Sequence, residues 1–361
     1  MDNKRGKGIS TIQFAELSKY RGELMGLAMI FVVLFHVGMP QSNFFYPLRR
    51  LGNVGVDMFL FVSGIGLWFS WTHSRLGKKL DGIGAMDIKS AVIRFFKNRY
   101  RRIYPVWLIV AAIFYICRYI EGKGGAATPD VPNLIANILF NWSFWRVDDL
   151  TFWYVPATMM LYIFAPWYME LIRKSPTFRW LPIAFILLAA MVQYVPLLHD
   201  NVGHLEIFFS RIPIFFIGIN AGKWVMEKRE LERGSIWMAI IVFIMSMWLC
   251  LRLEFIGHRA FPLFMERIAY IPLTISALIL ECKLADMLPK GANSFLTLIG
   301  GISLEIYLIH IEFVMRPLQE YQLGYCLTAL LVLSISIPAA WLIHWAIGKG
   351  VSTAFDRKNV A

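Results

Sequence analysis

Apolar runs of membrane-crossing length recur along this chain, broken by short polar stretches. A membrane-spanning helix needs about 20 mostly apolar residues. By that measure ten spans are predicted, at roughly 23–40, 52–71, 103–120, 151–172, 180–197, 207–225, 236–253, 264–281, 296–316 and 324–347. The pattern predicts an all-α integral membrane protein of about ten transmembrane helices. Flanking them are a basic tail over 1–22 and a polar tail over 348–361, leaving 23–347 as one membrane domain. The first run is too long for the apolar core of a signal peptide, and Met39-Pro40-Gln41 is no small-residue cleavage site.

Composition agrees. Of the 361 residues, 58% are hydrophobic and only 17% are charged, where soluble domains carry about a quarter. The net charge of +12 would suit a nucleic-acid partner, but its placement argues otherwise. Lys4, Arg5, Lys7, Lys19 and Arg21 crowd the amino-terminal tail, and the segment Thr72 to Arg102 is the most basic in the chain. Positive charge gathered on alternate loops follows the positive-inside rule, which predicts both termini in the cytoplasm and no nucleic-acid role. Cys117, Cys250, Cys282 and Cys326 stand singly in apolar runs, so they read as packing residues. No metal-ligand spacing, P-loop, dinucleotide fingerprint or internal repeat is present.

The candidate chemistry lies in polar residues set inside the apolar runs. His36 falls deep in the far half of span one, where an ionisable group is costly and marks a site; the plainer reading is a helix-end histidine bonded to a nearby carbonyl. Asp57 lies a turn inside span two at similar depth, so the two can meet, the carboxylate orienting the imidazole as a general base requires. Alternatively, Asp57 is an acid favoured at a helix N-terminus. From Met86 to Arg102 the sequence interleaves apolar and cationic residues as an interfacial helix does, and Lys78, Lys79 and Lys89 suit anionic headgroups. Within it Arg99 and Arg102 are three apart and share a face, which suits capture of a phosphorylated ligand, with Arg101 beside them. Trp142 and Trp145, in the loop 121–150, and Trp153 and Tyr154, at the start of span four, suit the headgroup level. Arg211 enters span six five residues after Glu206, a possible structural partner. Span nine carries Glu305 near mid-membrane, then Tyr307 and His310 on one face. His36, Asp57, Arg211 and His310 thus share one depth on four spans, which predicts a single polar cavity.

Four stretches together resemble the membrane acyltransferase-3 family, enzymes that O-acylate carbohydrates: V-V-L-F-H ending at His36, G-V-D-M-F-L-F-V-S-G from Gly55 through Ser63 to Gly64, R-Y-R-R-I-Y-P from Arg99 to Pro105, and I-Y-L-I-H ending at His310. The resemblance covers most of the chain, with departures. Met25 stands where the family often has an arginine, leaving Arg21 as the nearest substitute, and Trp153-Tyr154 is not followed by the family's glutamate. The resemblance implies a multi-pass protein of the bacterial cytoplasmic membrane that uses acyl-CoA, most simply acetyl-CoA, as co-substrate. It needs no permanently bound cofactor or metal. The acceptor would be a hydroxyl of a surface or envelope polysaccharide or glycolipid, with glycan-assembly proteins as possible partners. It implies Arg99, Arg101, Arg102 and Arg21 on the CoA, His36 as base with Asp57, and His310 as a second proton carrier or substrate ligand. Ser63, Tyr154 or Arg211 would stabilise the oxyanion. The rival reading is a transporter or flippase of a glycan precursor or polar solute.

Overall fold

The computed structural model describes residues 13–76, 88–231, 233–256 and 263–356; Lys4, Arg5, Lys7, Lys78 and Lys79 lie outside them. Among the described residues the protein is all-helical, with a lone β-bridge between Gln13 and Glu230 as the exception. Among the described residues eight helical segments are long and apolar enough to cross a membrane, at the places expected for spans two to eight and ten. The other two expected spans are built differently. Helix α1 (Arg21–His36) has 16 residues and stops at the histidine instead of running to Pro40. Span nine is broken: α9 (Lys290–Gly301) and the helical run Ser303–Gln319 meet at 61°, and only joined do they have the length of a span. The double glycine Gly300-Gly301 sits at the break, where two poor helix formers lower the cost of stopping.

Between these come α2 (Val54–Leu76), α3 (Ile88–Ile120), α4 (Tyr154–Lys174), α5 (Leu181–Tyr194), α6 (Ile212–Met226), α7 (Arg233–Ile256) and α8 (Leu263–Met287). After the break follow α10 (Ser303–Ile309), a π-helical turn over His310–Met315, and α11 (Tyr325–Asp356). One expectation is corrected here. The basic stretch before span three is not a separate interfacial helix; it continues into the span as one helix of 33 residues with Pro105 inside. Helix α11 continues past 348, into the polar tail, as far as Asp356. In the loop 121–150, two short helices, Val131–Phe140 and Trp142–Arg146, are joined at Asn141, whose φ of 50° is left-handed.

Backbone contact fixes two helix pairs. A Cβ on Gly218 of α6 would strike the Phe61 carbonyl of α2, and one on Gly64 would strike the Phe215 carbonyl. Likewise Gly26 of α1 faces the Leu296 carbonyl of α9, and Gly300 faces the Gly22 carbonyl. Small residues at such crossings are how helices associate where lipid removes the hydrophobic drive. These two clamps hold α1, α2, α6 and α9 around the site.

Candidate active site

His36 is the last residue of α1, and the helix end that bears it is tied down from outside. Arg49 Nη1 donates to the Val37 carbonyl at 2.8 Å, and the Tyr325 hydroxyl donates to the Leu34 carbonyl at 3.2 Å. Those carbonyls have no intrahelical partner, so the contacts stop the end from fraying. The His36 Nδ1 lies 2.7 Å from the Val32 carbonyl, so the plain reading of a helix-end histidine is correct as geometry. It is not the whole of it. His310 Nε2 lies 3.3 Å from the same Nδ1, with ring centroids 5.1 Å apart.

The backbone sets the tautomers. His310 Nδ1 faces the carbonyls of Ile306 and Tyr307, both at 2.9 Å. A carbonyl only accepts, so His310 carries its proton on Nδ1 and offers a bare Nε2. The same reasoning puts a proton on His36 Nδ1, shared between Val32 and His310, and leaves His36 Nε2 with its lone pair. His310 opens the π-helical turn, a wide turn that often accompanies function and here aims the ring across the bundle. It is fully buried, whereas His36 is half-buried.

Asp57 is not the partner of His36, a correction to the expectation. It sits in the first turn of α2 and pairs with Arg211, both residues 1% exposed. Arg211 also donates through Nη2 to Asn53 Oδ1 at 2.9 Å and lies 5.5 Å from the Trp153 ring centroid. A buried arginine outcompetes a neutral imidazole for a buried carboxylate, because neither charge can be left alone there. Arg211 in turn is not paired with Glu206, which pairs with Arg267. The four residues expected in a single cavity thus form two separate pairs, His36 with His310 and Asp57 with Arg211.

Beside the histidines, α1, α2, α3, α4, α10 and α11 enclose a cavity of about 120 Å³. Arg21, Arg99 and Arg102 line one end, Tyr154 and Tyr307 the other, and Ser63 and Glu305 the wall between. Arg21 and Arg99 converge on Gly66: Arg99 Nη2 donates to its carbonyl at 3.4 Å, and a Cβ there would stand 3.4 Å from Arg21 Nη2. Buried Nε atoms of both arginines have no hydrogen-bond partner. Arg101 faces away, exposed and off the cavity. Met25, the departure from the family pattern, lines the same cavity as Arg21. The histidines do not line it. Tyr307 stands between, its hydroxyl accepting the Tyr154 backbone N–H at 3.1 Å and its ring 6.1 Å from that of His310. One wall residue, His344 of α11, escaped the sequence reading; it sits near the end of the last apolar run with nothing in spacing to mark it, and bonds Glu305 at 2.6 Å.

A helical bundle that sets an imidazole lone pair next to an arginine-lined cavity has the makings of a membrane group-transfer enzyme. The comparison with known families agrees: the acyltransferase domain model, Acyl_transf_3, matches residues 24–345, and the protein belongs to that family of membrane acyltransferases. This favours an acyltransferase over the transporter or flippase. No curated protein and no solved structure matches the chain.

Proposed function

We propose that the protein transfers an acetyl group from cytoplasmic acetyl-CoA to a hydroxyl of a surface or envelope glycan. The observation that carries this reading is the pairing of a tautomer-fixed His36 with a cavity whose arginines have no carboxylate counter-ion among the described residues. On this reading the protein crosses a bacterial cytoplasmic membrane ten times, counting α1 and the broken span, with both termini inside. The arginine end then opens to the cytosol, and Arg21, Arg99 and Arg102 take the CoA phosphates, for which guanidinium is suited in charge and geometry. The thioester reaches toward Tyr307 while the acceptor approaches His36 from the opposite side.

His36 Nε2 takes the proton as the sugar oxygen attacks the acyl carbon. The imidazolium that forms hands part of its charge through Nδ1–H to His310 Nε2, the role first expected of Asp57. Ser63 and the Tyr154 hydroxyl face the cavity and serve the oxyanion; Arg211, committed to Asp57 and Asn53, does not. Collapse of the intermediate breaks the C–S bond, and CoA departs as thiolate, taking up a proton on release.

The test is acetyl-CoA binding and slow hydrolysis by the purified full chain in nanodiscs. Wild type binds and hydrolyses; Arg99→Ala/Arg102→Ala loses binding; His36→Ala binds but does not hydrolyse. A folded wild type that fails to bind acetyl-CoA rejects the proposal.

A further inference from the structure

The donor cavity contains one group that a pocket for a polyanion should not have. Glu305 is 4% exposed and lines it. Alone, that carboxylate would repel the phosphates that the arginines attract. Its only partner among the described residues is His344, whose Nδ1 lies 2.6 Å from Oε1. His344 lines the same cavity, with its side chain 56% exposed. Because a carboxylate accepts, Nδ1 bears the proton, and Nε2 is left to meet a ligand.

Position matters as much as chemistry. Glu305 precedes His310 by five residues, about 7.5 Å toward the arginine end at 1.5 Å per residue. The pair therefore lies between the arginines and the His36–His310 pair, along the path of an extended thioester arm. We propose that His344, held by Glu305, is a donor-binding residue that contacts the arm below the phosphates, its Nε2 accepting an amide N–H of the arm. The inference rests on the acyl-CoA reading of this cavity given above.

The experiment measures binding of acetyl-CoA, and of adenosine 3′,5′-bisphosphate, which keeps phosphates but lacks the arm, by the full chain in nanodiscs, for wild type, His344→Gln and Glu305→Gln. His344→Gln should bind acetyl-CoA about tenfold more weakly than wild type and the bisphosphate as wild type does, which a merely structural role would not produce. Glu305→Gln, which removes the carboxylate that holds the ring, should also weaken acetyl-CoA binding and leave the bisphosphate no weaker. A His344→Gln variant that binds acetyl-CoA as wild type does, or that loses both ligands equally, overturns the inference while leaving the acyl-CoA reading intact. Wild type that binds no acetyl-CoA overturns both. Should His344→Gln fail to fold, the Glu305→Gln comparison decides alone.

Discussion

The two ends of the polar interior treat charge in opposite ways. At the histidine end three carboxylates each have an arginine in place: Asp57 with Arg211, Glu206 with Arg267, Glu254 with Arg50. At the arginine end Arg21, Arg99 and Arg102 share a cavity with no carboxylate ion-paired to them among the described residues, and the acid that lines it, Glu305, is held by a histidine. Closed pairs hold helices together and have nothing left to offer a ligand. Open charges strain the bundle and are tolerated where something else will neutralise them. The contrast separates framework from site without reference to sequence similarity.

Four substitutions test that separation. The largest expected effect is at the base: His36→Ala should lower turnover by about 10²–10⁴-fold, the usual worth of a positioned proton acceptor, with membrane levels and thermal stability unchanged. Next is the framework. Asp57→Ala leaves Arg211 buried and unpaired, which should cost about 3–5 kcal/mol of stability; Asp57→Leu/Arg211→Met should recover most of it in a melting assay. If the single variant melts like wild type but loses activity, Asp57 belongs to the site. Third, Arg99→Ala should weaken donor binding by about ten- to a hundredfold, at about 1.5–3 kcal/mol for a charge-assisted bond, and should stabilise the apo protein slightly by relieving repulsion. Arg101→Ala, off the cavity, should leave affinity within about twofold, the range of an exposed charge.

The smallest effect lies outside the bundle. Asp130 caps the helix Val131–Phe140, its Oδ1 accepting the Asn133 backbone N–H at 2.8 Å, and that bond holds its carboxyl below the usual carboxylate range. A lowered folded-state pKa stabilises above the unfolded value and is lost as pH falls through the folded one. Amide-exchange protection at Asn133 should therefore weaken as pH falls below the usual carboxylate range. In Asp130→Ala it should be weak throughout.

Much of this site was legible because depth in a membrane can be counted. His36, Asp57, Arg211 and His310 were placed at one level from run lengths alone, and the three-residue spacing of Arg99 and Arg102 does put both on the cavity. Depth cannot choose partners, however. Four groups at one level allow several pairings, and the energetics of leaving Arg211 unpaired, not sequence spacing, selects Asp57 for it and leaves His36 to His310. The broken ninth span was also hidden, since Gly300-Gly301 inside an apolar run is compatible with an unbroken helix. His344 was invisible for a related reason: a histidine near the end of a span resembles an interfacial residue until the break at 301–303 turns Glu305 toward it.

The shortness of α1 bears on how His36 is approached. Its 16 residues measure about 24 Å, some 6 Å less than the hydrocarbon core of an average bilayer, and none of them is exposed. Neighbouring helices, not lipid, therefore surround it, and a helix that stops short inside a bundle leaves its last side chain in a recess of protein. The way in to the imidazole is then shaped by the helices and loop around that recess and not by the thickness of the membrane.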